Sequence, residues 1–522
     1  MTNRRERTWA VWTLAGVALA VLLRLLMIDV PFDRDEGGYA YIGWQWTQGL
    51  WPYVHSVESK PPGVFAVYAI LVGLYHGVTS VRLGMLLWSL LTALVFHRLV
   101  RRLFDAPTAA IATILLALTQ TAPSYDGQSA NAEMFMVTWI IAALLMVAPG
   151  GNKQQSWRPV AAGALMGIAV LFKPVAGADL LPLVVMIYAT AGAGRKFVIR
   201  ILYAAGGFCA ALAACYAAFA LAGAAREFHF WAFSYNLSYS GAFSWLDRGR
   251  ALAIQLSRRG MLVRDWPLLV GLAAGVIVLW RGRRENKIAA LALPFWLFSA
   301  AVGVAASGRF TAHYWQQLLP PLCLAAAVGV RGAVGLLLEK TASTASRAAI
   351  IVVIALLLLS PTLLRLPQYT RGAELSRDLF GVNPFYDGEM LGRYLREHTE
   401  PDETVLVFGS EGQILFHARR RSAMRFVFAY PLAAYYEDTL ALQQEAWREI
   451  QDSQPRYVVV VNMPSSMTLN KNAPPFLREH LQQWVGSNCR LEASLTQTPA
   501  GNTELVISHP PRGVVELYRR LD

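Results

Sequence analysis

The sequence predicts a polytopic α-helical membrane protein that ends in a soluble α/β domain. Three observations predict it. Of 522 residues, 55% are hydrophobic and 16% charged, with mean hydropathy +0.37; a soluble domain carries about 25% charge. Apolar runs of helical length recur through the first 366 residues. Beyond Leu366 these runs stop and charge rises. The expected domains are therefore 1–366, membrane-embedded, and 367–522, α/β and extracytoplasmic.

About eleven spans are expected, at 9–30, 83–104, 106–122, 132–149, 158–174, 175–193, 198–223, 266–281, 287–306, 315–333 and 348–366. A full span needs about 20 residues, so several are short. The basic Asn3-Arg4-Arg5-Glu6-Arg7 precedes the first run. No small-residue cleavage site occurs before Asp33, so that run reads as a retained anchor. The stretch 64–78 is apolar but short and carries Tyr68, Tyr75 and His76, which suits a helix at the interface. This choice puts the N-terminus, Arg98 with Arg101 and Arg102, Lys153 with Arg158, Arg195 and Lys196 with Arg200, and the basic stretches 281–287 and 331–347 on the cytoplasmic side. The C-terminus is then outside. Cytoplasmic Lys and Arg account for most of the net charge of +13 without nucleic acid. Cys209, Cys215, Cys323 and Cys489 have no metal-ligand spacing and suggest no disulfide framework.

In the tail, 404–409 and 456–462 read as buried strands. Helical patterns lie at 389–398, 440–452 and 476–485. The turn Gly409-Ser410-Glu411-Gly412 lacks the glycine spacing and lysine of a phosphate loop. It reads as a tight turn.

The stretch 33–63, directly after the first run, concentrates Asp35, Glu36, Glu58 and Lys60 with Tyr39, Tyr41, Trp44, Trp46, Trp51 and Tyr53. Such aromatics suit the headgroup level. Tyr39, Ile42 and Trp46 recur at helical spacing, which predicts a short helix with one face on the membrane surface. Asp35 and Glu36 stand at its start, where negative charge is favoured.

Under the expected topology, the polar residues near span ends gather on the outer face. They are Asp35, Glu36, His55, Glu58 and Lys60, then Asp126, Asn131 and Glu133, then Lys173, His229, Arg309 and His313. Taken singly, each suits an interface anchor; ionisable residues at membrane depth are costly, and their gathering points to function. A carboxylate there can accept the proton of an incoming hydroxyl. Lys60, Lys173 and Arg309 can neutralise a phosphate leaving group. This combination suits glycosyl transfer from a lipid-phosphate sugar. The stretch 226–266 holds Arg248, Arg250, Arg258, Arg259 and Arg264 among aromatics that include Tyr239 and Phe243. It reads either as an amphipathic helix at the interface or as a phosphate-holding lid.

The residues Asp35-Glu36-Gly37-Gly38-Tyr39-Ala40 and Glu58-Ser59-Lys60-Pro61-Pro62-Gly63 resemble the bacterial branch of the protein O-mannosyltransferase clan, which includes the lipid A aminoarabinose transferases. The resemblance is strongest in the N-terminal half, through 126–133 and Lys173-Pro174. It implies the C-type glycosyltransferase fold in a bacterial cytoplasmic membrane. It also implies transfer from a polyprenyl-phosphate sugar, at the outer face, to protein, lipid A or an envelope glycan. By that resemblance Asp35 is the catalytic base, Lys60 contacts the donor phosphate and Glu58 helps bind a metal. Asp126 and Glu133 compete for the second acidic position, with Asn131 between them.

The candidate set is then catalytic Asp35 and Glu36, and donor-phosphate ligands Lys60, Lys173 and Arg309. His55, Asp126, Asn131, Glu133, His229 and His313 are expected to bind substrate. Asp35 and Glu58 offer oxygen ligands of the kind that suit Mg or Mn. The alternative is a lipid-linked sugar or polysaccharide transporter. Transporters commonly show repeated halves and broken helices at the midplane, and neither stands out in this sequence.

Overall fold

The computed structural model describes residues 2–150, 156–236, 244–258, 261–282, 286–433, 438–467, 473–497, 503–507 and 509–521. Lys153, Tyr239, Phe243 and Arg259 lie outside the described residues. Each of the eleven expected spans contains a helix. They are Thr2–Leu25, Val78–Leu103, Ala106–Gln120, Ala132–Val147, Trp157–Val170, Leu180–Ala191, Arg195–Leu221, Trp266–Arg281, Lys287–Ala305, Leu319–Glu339 and Thr344–Leu364. Among the described residues, seven helices are long and apolar enough to cross a membrane. The stretch expected at the interface is the 12-residue helix Gly63–Leu74. At 1.5 Å per residue it is about 18 Å long, too short for a bilayer core of about 30 Å.

The chain divides into two compact units. The first comprises 1–28, 82–217 and 243–371; the second comprises 29–81, 218–242 and 372–522. The loop after the first helix thus belongs to the same unit as the C-terminal sheet.

In the first unit, small residues let helices approach closely, as is usual inside lipid. A Cβ on Gly271 would stand 3.1 Å from Ala326 Cα, so Trp266–Arg281 rests on Leu319–Glu339 almost backbone to backbone. Several buried polar groups are paired. The Arg365 guanidinium donates to both Asp265 oxygens, at 2.9 and 2.6 Å, and Tyr125 donates its hydroxyl to Asp265 Oδ2 at 2.9 Å. Arg24 donates to the Gly127 carbonyl at 2.7 Å, and Gln316 to the Tyr125 carbonyl at 2.9 Å. These bonds hold the loop that carries Asp126.

The second unit is built on a six-stranded sheet. Its strands are β1 (Thr404–Phe408), β2 (Arg421–Ser422), β3 (Tyr457–Val461), β4 (Cys489–Gln497), β5 (Thr503–Ile507) and β6 (Val515–Arg520). Their order is β2-β1-β3-β6-β4-β5. The first three are parallel and the remaining pairs antiparallel, with Val405 opposite Tyr457 and Val459 opposite Leu517. The two expected strands are β1 and β3, and the three expected helices are Gly388–Glu397, Thr439–Ser453 and Phe476–Asn488. Strands β4 and β6 mix charges into their pattern, which hides them from a hydrophobic scan. Buried Glu516 of β6 is stabilised by the Tyr518 hydroxyl at 2.8 Å and Arg512 at 3.0 Å.

The first-loop helix is Arg34–Thr47, closed by a capping box in which Asp33 accepts from the Glu36 amide at 2.9 Å and Glu36 accepts from the Asp33 amide at 3.4 Å. Its Tyr39 and Ile42 do not lie on a membrane surface: each is 1% exposed. Their expected exposed stripe is covered by protein. Gly37 and Gly38 admit the neighbouring chain, since a Cβ on Gly37 would lie 2.6 Å from the Gln413 amide and one on Gly412 would lie 2.8 Å from Gly38 Cα. The turn at 409–412 therefore leads into the helix Gly412–Ala418 that packs on the first loop. Further along, Val57 bridges Phe426 in parallel register and donates its amide to the Arg425 carbonyl at 2.7 Å.

His76 docks on this helix, donating Nε2–H to the Phe416 carbonyl at 2.9 Å and stacking on the Phe416 ring at 4.0 Å. Burial pushes its pKa down to about 4, against the raising pull of that hydrogen bond. Burial likewise pushes His417 down to about 3. Both rings are neutral when folded and take up a proton near pH 6.5 when unfolded. The folded state therefore binds fewer protons in this window, and stability falls as pH drops from about 6.5 to about 4. We expect the thermal midpoint in detergent to decline across that window, and the His76→Phe variant to lose part of the decline.

Candidate active site

Two acid–base clusters stand out, one in each unit. The second-unit cluster centres on the Lys60 ammonium. It lies 3.1 Å from Glu58 Oε1 and 3.9 Å from Asp35 Oδ2, and 5.6 Å from the centre of the Tyr39 ring. Glu58 is fully buried and also accepts hydrogen bonds from the Ser59 hydroxyl at 3.2 Å and from the Tyr430 hydroxyl. Burial, and then the charge of Glu58, raise the Tyr430 pKa well above its ordinary value, so the phenol keeps its proton to donate. Asp35 differs from Glu58 in access: its side chain is 28% exposed. It accepts the Tyr39 hydroxyl at 3.3 Å.

The segment is held from several sides. Tyr53 donates to the Lys60 carbonyl at 2.7 Å, and Asn236 to the Ser59 carbonyl. Asn236 follows the π-helical turn Phe230–Ser234, a geometry frequent at functional sites. Arg425 donates to the Tyr53 carbonyl at 3.1 Å and pairs with Glu227 at 3.0 Å and Glu445 at 2.6 Å.

The first-unit cluster is Lys173, Glu133, Asp126, His313 and Tyr314. Lys173 pairs with buried Glu133, and its ammonium lies 3.4 Å from the centre of the Tyr314 ring. His313 Nδ1 lies 3.2 Å from Asp126 Oδ2. Asp126 sits at φ +50°, a left-handed turn position that Asp tolerates better than most residues. Asn131 is 1% exposed, and neither side-chain polar atom has a hydrogen-bond partner among the described residues. The two acids that compete for one role are thus different in kind: Glu133 is tied to a lysine and Asp126 to a histidine.

Other expected site residues lie outside these clusters. Glu36 is fully buried, and its carboxylate serves the helix cap and accepts the Tyr68 hydroxyl at 3.4 Å, so of the two expected catalytic acids Asp35 is the accessible one. The spacing Asp33-x-x-Glu36 already carries that cap in the sequence. His55 is exposed, and burial and then Arg421 lower its pKa. His229 is exposed, with its ring 6.2 Å from Phe233. Arg309 is half-buried in the first unit, in the irregular stretch before the turn Ala312–Gln317. Sequence reasoning missed Tyr430, Arg425 and Tyr314. Tyr314 adjoins the singled-out His313, whereas no local pattern marks the other two.

Residues 59–219 match the family model described as dolichyl-phosphate-mannose-protein mannosyltransferase. No curated protein matches the chain. The chain is similar to the structure of ArnT from Cupriavidus metallidurans bound to undecaprenyl phosphate, at 15% identity and TM-score 0.57 over 97% of each chain. It is also similar to the oligosaccharyltransferase AglB from Archaeoglobus fulgidus in complex with an inhibitory peptide and a dolichol-phosphate, at 13% identity and TM-score 0.54 over 95% of this chain and 74% of that one. A further match is the Archaeoglobus fulgidus oligosaccharyltransferase in complex with Zn and sulfate, at 14% identity and TM-score 0.50 over 94% and 73%. The fold is thus the multi-pass helical fold with a C-terminal mixed-sheet domain that the first loop implied, and the resemblance to membrane glycosyltransferases of this clan is borne out.

The expected metal pair fits poorly. Asp35 and Glu58 already share the Lys60 ammonium. Among the described residues no three His, Cys, Asp or Glu side chains converge to hold a metal ion. Magnesium and manganese prefer about six oxygen ligands, so the pair as arranged does not form a cage for either.

The Lys173–Glu133 pair gives a direct test of its own. Lys173→Met leaves a buried carboxylate unpaired and should destabilise the protein by about 3–5 kcal/mol. The double variant K173M/E133Q should recover most of that loss, as read by the thermal midpoint in detergent.

Proposed function

We propose that this chain is an inverting glycosyltransferase that moves a sugar from a polyprenyl-phosphate donor to an acceptor hydroxyl at the outer face of a bacterial cytoplasmic membrane. In this reading the N-terminus is cytoplasmic, and 367–522 is an extracytoplasmic domain. The observation that carries it is the division of labour around Lys60. Buried Glu58 holds the ammonium in place, while Asp35, at its other side, is open to solvent. The family match over 59–219 and the fold shared with polyprenyl-phosphate-bound structures support it.

Asp35 takes the proton of the acceptor hydroxyl. The acceptor oxygen attacks the anomeric carbon from the side opposite the phosphate, and the bond from that carbon to the phosphate oxygen breaks. The bonding pair leaves on the phosphate, and polyprenyl phosphate departs as an anion that Lys60 neutralises. One displacement inverts the anomeric centre and needs no covalent enzyme intermediate. Phosphate is a good leaving group, so no strong general acid is required. Lys173 and Arg309 are proposed as further donor-phosphate ligands, and Asp126, Asn131, Glu133 and His313 as substrate ligands. His55 and His229, both exposed, are proposed as further substrate ligands.

The test is donor turnover by purified protein in lipid, with a panel of polyprenyl-phosphate sugars and a membrane extract as acceptor. Asp35→Asn should lower release of polyprenyl phosphate by about 10²–10⁴-fold, the usual scale for a general base, with folding unchanged. Glu36→Gln should lower the thermal midpoint through the cap and keep most of the turnover. Movement of lipid-linked sugar between leaflets with no release of polyprenyl phosphate would instead establish the transporter reading.

A further inference from the structure

We infer that a cavity in the first unit, at the end of the helices that carries the basic loops, binds the headgroup of an anionic glycerophospholipid. The cavity has a volume of about 420 Å³ and lies among the helices Ala132–Val147, Trp157–Val170, Leu180–Ala191 and Arg195–Leu221. Arg158, Lys196 and Arg200 line it, with Ile199 and Tyr203 on its apolar wall.

Among the described residues no ion pair compensates its charge. Between Met134 and Arg226 the sequence holds one carboxylate, Asp179. That carboxylate is buried and accepts from Ser299 and Gln317 at 2.7 Å each. Arg158 reaches the Leu145 and Ala148 carbonyls at 3.4 and 3.5 Å, which uses donors without cancelling charge. Arg102, donating to the same Leu145 carbonyl at 2.8 Å, adds a fourth cation nearby. Among the described residues neither Lys196 nor Arg200 forms an ion pair. Like charges gathered around one cavity repel, and an anion placed among them relieves that repulsion.

The wall selects a lipid over a free anion. Ile199 and Tyr203 line the cavity, yet are 37% and 44% exposed. Val198 and Leu202, beside them on the same helix, are 52% and 63% exposed. The cavity therefore opens onto an apolar helix face of the kind that acyl chains cover. Basic pockets between membrane helices bind anionic headgroups in this way. This inference does not depend on the proposed transfer reaction.

Native mass spectrometry of the full-length protein from bilayers of equal parts phosphatidylglycerol and phosphatidylcholine tests it. The wild type should retain one phosphatidylglycerol in preference to phosphatidylcholine. Lys196→Gln and Arg200→Gln should each weaken retention about fivefold, the usual worth of one near-surface cation. Arg281→Gln, at the end of the helix Trp266–Arg281 and outside the cavity lining, should leave retention unchanged. Thr190→Trp fills the cavity while keeping every cation and should abolish retention. Equal retention of the two lipids would overturn the inference. So would equal loss in Arg281→Gln, retention in Thr190→Trp, or displacement by inorganic phosphate or polyprenyl phosphate. All variants should keep the wild-type thermal midpoint in lipid-free detergent, and any variant that does not is replaced by the other cavity variants.

Discussion

The Lys60 ammonium between Glu58 and Asp35 is the interaction on which the candidate site depends. A buried carboxylate left unpaired is strongly destabilising, so Glu58 and Lys60 require one another. Glu58 reaches its place because Val57 is bonded to the strand-like stretch at 425–426, and because Tyr430 and Ser59 saturate its oxygens. Asp35 reaches its place because the cap at Asp33 and Glu36 fixes the first turn of its helix. The open acid thus rests on a fully buried one.

This arrangement gives the C-terminal sheet domain a physical role in the site. Tyr430, Arg425 and the helix Gly412–Ala418 all come from it, and all touch the first loop. The glycines at 37, 38 and 412 serve that contact, since side chains at 37 and 412 would collide with backbone and one at 38 with the Phe428 ring. The Glu227–Arg425 ion pair draws in the aromatic turn at 230–234 as well. The second unit is therefore assembled from three stretches of chain, and the ion pairs Arg34–Glu411 and Arg425–Glu227 help join them.

Much of the fold was legible because long apolar runs and short buried strands have strong periodic signatures. All eleven expected spans contain helices, and β1 and β3 stand where the valine-rich runs predict. The site was half legible. Asp35, Glu58 and Lys60 are close in sequence and fall in one loop, so their gathering is visible. Tyr430 is 372 residues from Glu58, and nothing local marks it as a partner. The burial of Glu36 was illegible for a different reason: an acid at a helix start looks the same whether it faces solvent or closes a cap. The aromatic stripe of Tyr39 and Ile42 misled similarly, because an apolar face covered by protein has the same period as one laid on lipid.

Binding of the leaving group, polyprenyl phosphate, to purified protein in detergent tests the central claim most directly, without reference to acceptor or sugar. If the Lys60 ammonium receives the departing phosphate, Lys60→Met weakens binding by tenfold or more, whereas Asp35→Asn, which removes a neighbouring negative charge, binds as tightly as the wild type or more tightly. Unchanged affinity in a folded Lys60→Met variant would contradict the account.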